Sequence, residues 1–589
     1  MPSSVSPDTD ATATPPGGAP PSHPRATEPF LLIVLVVLSA VGAVIGIDLV
    51  AKLGISANTA VVGALIAMLI GRIPLTVLRR MRSVHRQNLA QSAISAATFA
   101  AANALLTSAA VPYVFGREDL VWPMLAGSFI GLLIDAWVLY RSFGSRLLPA
   151  EGPWPPGVAA AETIEAGDKG GKRAAVLAGG TVVGLVGTLF HLPLSAAGVA
   201  FLGNIWALLM FGVGLGLREF GPQLFGTDLG AGYVPHGVMV GAGLVALGQA
   251  VAVLTRRGGR RASAQAPGTA TASQPPGPGQ APQPGQAPGS GRTPGPGQAP
   301  GSGQRAGLGQ AAGPSSPVVD EAALRRALLR GYGLFTAGAV LLALAGGLLG
   351  EMSVPALVGW ALFAALAALV HELIVGLAAM QSGWFPSFAV TLIFLILGLV
   401  IGIPSVPLAL LVGYVSATGP AFADMGYDLK AGWLLRRDHR PWDPWERAGR
   451  REQFRAALVG FAVALAVVAV LWQSYFRQGL IPPVAKVYAD TVRHGLSDGD
   501  ALRTMLLWAI PGALIQLLGG TRRQMGVMLA TGLLILTPHA CWLVLAGLAV
   551  RVVYRRLRGE QADAELNLVG AGLIAGSSLG DSAQIIKAG

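Results

Sequence analysis

The stretch VSATGPAFADMGYDLKAGWLL, residues 415–435, sets Asp424, Asp428 and Lys430 in a largely apolar run. Asp424 and Asp428 are four apart, so a helix carries both on one face. Two such carboxylates repel when both are ionised, a pairing that suits a proton carrier. The same spacing also suits a capped helix start at an aqueous surface. PWPPGVAAAETIEAGDKGGKR, residues 153–173, repeats the figure with Glu162 and Glu165 three apart. Laid side by side, Gly157 falls on Gly419, Ala161 on Ala423 and Glu162 on Asp424.

Other ionisable groups stand in apolar surroundings, where each is costly and therefore a functional candidate. Asp48 and Lys52 have the spacing of an interfacial ion pair. Asp135, in IGLLIDAWVLY, suits a buried hydrogen bond or a coupling site. His371-Glu372, in ALVHELIVGLAAM, begins like a zinc-protease HExxH, but Val375 stands where the second histidine is required. The pair reads either as a proton acceptor near physiological pH or as a polar pair bonded to neighbouring backbone. No metal site and no cofactor are expected. Cys541 is the only cysteine, which excludes a disulfide or a thiolate cluster within the chain. Without a P-loop or a complete catalytic constellation, neither ATP-driven pumping nor an enzyme is expected.

The elements that would hold these groups are membrane helices. Of 589 residues, 52% are hydrophobic and 12% charged, where a soluble chain carries about a quarter charged. The net charge of +12 comes from Lys and Arg clustered in short loops, which orient spans rather than bind nucleic acid. Runs of roughly 20 apolar residues recur. They fall near 30–50, 59–78, 88–115, 120–143, 174–192, 197–217 and 235–254, then 332–349, 354–380, 385–403, 407–424, 454–475, 502–518, 525–537 and 539–553. Residues 566–586 are apolar but rich in Gly and Ser and stay undecided. The expected fold is an all-α polytopic membrane protein of about 15–16 spans.

The organisation expected is a disordered tail at 1–28, a first transmembrane repeat at 29–257, a disordered Pro/Gly/Gln-rich linker at 258–319 and a second repeat at 320–589. Arginines at 79, 80, 82 and 86 and on both sides of the linker place the N-terminus and the linker in the cytoplasm. The first half must then cross an even number of times. That parity points to Phe220–Tyr233 as a broken or re-entrant element, since irregular backbone in a bilayer is tolerated only against protein or water. Pro235-His236 and Pro538-His539 each open a run ending in paired arginines, a second sign of internal duplication.

The acidic elements, with Arg450-Arg451-Glu452-Gln453-Phe454 and NLAQSAISAA from Asn88, resemble signatures of the oligopeptide transporter (OPT) superfamily, which includes the yellow stripe-like metal-chelate carriers. The resemblance implies a duplicated, many-helix secondary transporter for small peptides, glutathione-like compounds or metal–chelator complexes, generally moved with protons. It singles out Asn88, Gln91, Glu162, Glu165, Asp424, Asp428 and Lys430. The chain departs from the family pattern at His371-Glu372 and in its long linker. The acidic run is expected where a helix meets the cytoplasmic vestibule. The function expected is proton-coupled import across the cytoplasmic membrane by alternating access, with a passive channel or pore as the alternative. Oligomeric state is not legible.

Overall fold

Inside a bilayer every backbone amide and carbonyl must find its partner within the protein, and long apolar runs achieve this as helices. The structure, a computed structural model, describes residues 23–255 and 319–588 apart from 49, 52–58, 73–74, 170, 203, 227–228, 230–233, 384, 386, 440–441, 495–498, 535–538 and 560. Lys52, residues 1–22 and nearly all of the linker lie outside the described residues.

The first half forms α1 (Pro29–Asp48), α2 (Thr59–Arg72), α3 (Val84–Phe99), α4 (Thr107–Phe115), α5 (Val121–Ser142), α6 (Pro155–Lys169), α7 (Gly171–Leu189), α8 (Leu194–Leu202), α9 (Ile205–Phe225) and α10 (Val234–Thr255). The second half forms α11 (Glu321–Ala345), α12 (Val354–Ser382), α13 (Ser387–Val400), α14 (Ser405–Ala417), α15 (Pro420–Arg436) and α16 (Trp442–Arg477). It ends with α17 (Pro483–His494), α18 (Gly499–Arg523), α19 (Met525–Leu534), α20 (Ala540–Arg558) and α21 (Gln561–Ala588). No strand occurs among the described residues. Eight stretches of them are long and apolar enough to cross a membrane, so the chain is a multi-pass membrane protein.

Several runs differ from the sequence expectation. Of the element expected at Phe220–Tyr233, residues 220–225 continue α9 to a C-cap at Gly226, and 227–228 and 230–233 lie outside the described residues. Residues 566–586 lie in α21, which packs along α7 and α8. The run at 407–424 is not one helix: it breaks between Ala417 and Pro420. Of the run at 525–537 the described part is α19, Met525–Leu534, and residues 535–537 lie outside the described residues. His23 and Ala26, which the sequence places in the N-terminal tail, are packed on the bundle; Ala26 N–H donates to Glu452 Oε2 at 3.0 Å.

The halves interleave rather than standing apart. Helices α1–α5 pack with α11, α14, α15 and α16, whereas α7–α10 pack with α18–α21. One continuous apolar core includes residues from both sides of the linker, among them Leu105, Phe211, Tyr414 and Val527. Large apolar side chains such as Val183, Leu341, Val470 and Leu518 are exposed, as lipid-facing positions require.

Candidate functional site

The two most enclosed spans are Val84–Phe115 and Ser405–Arg436, each 94% buried across its apolar window, against 33% for Trp442–Arg477. Both are interrupted. In the first, residues Ala100–Leu106 wind as a π-helix between α3 and α4, and Thr107 Oγ1 donates to the Ala102 carbonyl at 2.8 Å. In the second, the chain leaves α14 at Thr418 and restarts at Pro420. Breaks of this kind are common at functional sites in membrane helices. The spans meet where Ser108 and Ser416 bring their hydroxyls to 2.9 Å.

Gly419 makes the second break. Its φ of +70° belongs to the left-handed region that L side chains avoid, and a Cβ there would sit 2.6 Å from His371 Nδ1. Pro420 follows as the first residue of α15, a position whose missing N–H costs the helix nothing. The new N-terminus is capped from another helix: Asp135 Oδ2, on α5, accepts from Phe422 N–H at 2.7 Å. A carboxylate at a helix N-terminus is favoured by the exposed amides and the helix dipole.

From Pro420 the helix carries its two aspartates. Asp424 lies about 6 Å along α15 from the break, so it is deep inside the bundle. Asp424 and Asp428 are both buried, which corrects the expectation that they meet a cytoplasmic vestibule. Their partners come from α3. Ser95 Oγ donates to Asp424 Oδ1 at 2.6 Å, and Gln91 Nε2 donates to Asp428 Oδ1. Asn88 Nδ2 in turn donates to Gln91 Oε1 at 3.1 Å, so one amide orients the next. Asn88, Gln91, Ser92 and Ser95 follow helical spacing and share one face of α3. Asp428 Oδ2 meets no donor.

Lys430 does not join this pair. Its Nζ donates to the Ala150 carbonyl at 2.8 Å and lies 4.7 Å from the centre of the Trp433 ring. Its stem packs where α6 crosses α15, since a Cβ on Gly157 would meet Lys430 Cβ at 2.8 Å. At the same crossing the Trp154 ring lies over Gly426, where any Cβ would collide with it. The two acidic elements therefore pack against each other, but their acids do not converge. Glu162 pairs with Arg173 at 2.6 Å, with the Arg437 charge nearby. Glu165 is half-buried on the same helix.

His371 and Glu372, adjacent on α12, have opposite fates. His371 is bonded on both nitrogens: Nε2 faces the Ser387 carbonyl at 3.1 Å and Thr391 Oγ1 at 3.0 Å, and Nδ1 faces Thr418 Oγ1 at 3.2 Å. A carbonyl only accepts, so the network puts the proton on Nε2. This is the polar-pair reading for His371, and it ties α12 and α13 to the break. Neither Glu372 oxygen has a hydrogen-bond partner, and Asp135 and Tyr414 are among its neighbours.

A buried ionic network closes one end of the site. Arg436, at the end of α15, donates from Nε to Glu446 Oε2 at 2.7 Å and from Nη1 to Gln453 Oε1 at 2.7 Å, both on α16. Gln453 Nε2 continues to Ser92 Oγ at 3.1 Å and to the Asp428 carbonyl at 2.8 Å. Sequence reasoning passed over Arg436 and Glu446, which look like ordinary loop charges. Gln453 stood in a quoted motif, yet no spacing rule assigns it a contact with α3.

The family model described as OPT oligopeptide transporter protein matches residues 31–269 and 331–581. The chain belongs to the OPT oligopeptide transporter family. As an OPT protein it is a transporter of peptides or related solutes. No curated protein and no solved structure matches it. Both interrupted spans, and every side chain described above in contact with Asp424 or Asp428, fall inside the matched OPT regions.

Proposed function

We propose that this OPT-family chain is a proton-coupled secondary transporter that imports small peptides, peptide-like solutes or metal chelates across the cytoplasmic membrane by alternating access. The observation that carries the reading is the row Asn88, Gln91 and Ser95 facing Asp424 and Asp428 across two broken, enclosed spans. Amide and carboxylate groups in that setting offer a peptide backbone both donors and acceptors, and a terminal ammonium a counter-charge. The break at Gly419 lets α14 and α15 reorient separately, the motion that alternating access requires. In this reading residues 29–257 and 320–589 are duplicated repeats with the N-terminus and the 258–319 linker in the cytoplasm. Asn88, Gln91, Asp424 and Asp428 hold the solute, Lys430 fixes the helix crossing, and Glu162 and Glu165 face the approach.

Uptake into proteoliposomes with an imposed pH gradient tests this, using labelled dipeptides, tetrapeptides, glutathione and iron–chelator complexes. Saturable accumulation of one class, abolished in Asp424→Asn or Asp428→Asn, is the expected result. Conductive, non-saturable flux would establish the channel alternative instead.

A further inference from the structure

We infer that Trp154 is a positioning residue for the candidate solute site: its indole, wedged behind α15, holds Asp424 and Asp428 against the polar row of α3. This role rests on the transporter reading above and adds to it a residue that acts only through the acids.

The backbone at Trp154 is unusual. Its φ of +39° places it, with His191 and Gln524, among the three described non-glycine residues at positive φ. A bulky side chain is a genuine outlier there, and such outliers persist only where the surroundings hold them. Pro155 contributes, since the residue before a proline is kept from right-handed helical backbone. The Trp154 carbonyl accepts from the amides of Gly157 at 2.9 Å and Val158 at 3.1 Å, which puts Trp154 at the N-cap of α6. That position favours Ser, Thr, Asp or Asn, whose side chains accept from the first turn; an indole only donates. The start of α6 therefore gains nothing from a tryptophan, and the ring serves something else.

Its placement is fixed from two sides. Trp154 N–H donates to the Met380 carbonyl of α12 at 2.9 Å, and Nε1 donates to the Pro149 carbonyl at 3.2 Å. The side chain is fully buried and edge-on to the Tyr427 ring at 6.2 Å. Against Gly426 it leaves no room, since a Cβ there would lie 2.1 Å from the indole Cζ3. Three residues on, a Cβ on Gly157 would sit 2.4 Å from the Tyr427 carbonyl, so α6 itself backs the wedge. Residues of an α-helix advance by about 100° each, so Gly426 lies opposite the midpoint of Asp424 and Asp428. The front of α15 meets α3, where Ser95 donates to Asp424 at 2.6 Å and Gln91 donates to Asp428. The helix is thus gripped between an indole at its back and the α3 row at its front. The ring sets the space left for α15, and with it the reach of both hydrogen bonds.

Uptake kinetics in proteoliposomes, with glutathione and a labelled tetrapeptide as probes, test the wedge. Trp154→Leu should raise KM for the carried probe at least about fivefold while the maximal rate per folded protein stays within about twofold, the signature of lost solute binding. Gly426→Ala, which drives a methyl group into the ring, should raise KM as well. Trp154→Leu combined with Gly426→Ala should return KM towards the wild type, because the methyl group takes room that the indole vacated. An unchanged KM in Trp154→Leu, or a double variant no better than the worse single one, would overturn the inference. Should Trp154→Leu not fold, Trp154→Phe carries the same readouts with smaller shifts. Thermal midpoints of the purified full chain supply a readout free of transport. Ser95→Ala should lower the midpoint of the wild type, and by less than about half as much in the Trp154 variant, whose hydrogen bond to Asp424 is already loosened. Additive losses would overturn the positioning role. If the wild type moves neither probe, the transporter reading fails, while this cycle still decides whether Trp154 acts on the contact with α3.

Discussion

Ser95 donates its hydroxyl to Asp424 Oδ1 at 2.6 Å across 329 positions of sequence, and both residues are buried. Removing that donor takes a hydrogen bond from a buried carboxyl group, at a cost of about 1–3 kcal/mol. Ser95→Ala should therefore lower the thermal unfolding midpoint of the purified protein, whereas Ser95→Thr, which keeps the hydroxyl, should restore most of it. An unchanged midpoint in Ser95→Ala would deny this contact any part in stability.

Arg436 and Glu446 are fully buried partners at 2.7 Å. Breaking a buried pair by removing one member typically costs about 3–5 kcal/mol, here offset in part by Arg450, which lies 3.4 Å from Glu446 Oε1, while replacing both members with apolar groups is often near neutral. Arg436→Met alone should give aggregated or much less stable protein, and Arg436→Met with Glu446→Leu should recover monodisperse protein. Size-exclusion profiles and a double-mutant cycle on thermal midpoints check the pair; additive effects would contradict it.

Gly419→Ala introduces a Cβ in a left-handed backbone position and against His371. The backbone strain alone costs about 1–2 kcal/mol. Transport should fall further than this loss of stability explains, because the break must reorient. Parallel measurement of unfolding midpoint and initial uptake rate separates the two effects. A variant that moves solute at the wild-type rate would show that the break is only architectural.

His23 packs among His85 and Trp445, with ring centres 5.2 and 5.1 Å away, and Trp445 stacks on His439 at 3.8 Å. Burial, then the Arg436 charge, pushes the His23 imidazole down from 6.5 to about 4. A histidine whose folded value is depressed carries no penalty above its unfolded value. As pH falls from about 6.5 towards 4, the undocked form takes a proton that the docked form refuses. Docking of residues 23–28 should weaken across that window, by on the order of 3 kcal/mol at its end. Hydrogen exchange of this segment against pH tests it, and His23→Phe should flatten the profile.

Much of the architecture was legible because lipid forces it. Long apolar runs fixed the helical class, while NLAQSAISAA stood out by its resemblance to a family signature and not as a polar face of α3. What that face meets was not legible, since a contact between Gln91 and Asp428 spans 337 positions. The depth of Asp424 was misjudged for a local reason. Hydropathy runs through Thr418-Gly419-Pro420 without interruption, so the run at 407–424 looked like one helix ending in water. In the fold, Gly419 restarts the helix inside the bundle. Glu162 and Asp424 matched in sequence but have different partners: Arg173 pairs with Glu162, whereas Arg436, at nearly the matching position after Asp424, pairs with Glu446.

The interrupted spans are also those most enclosed by other helices, with α1 and α16 presenting much of their surface outward. Hydrophobic mismatch is absorbed by tilting of lipid-exposed helices, at fractions of a kcal/mol per ångström. Thicker or thinner bilayers will then tilt the outer wall first and leave the polar centre in register, so acyl-chain length should tune turnover far more than solute selectivity.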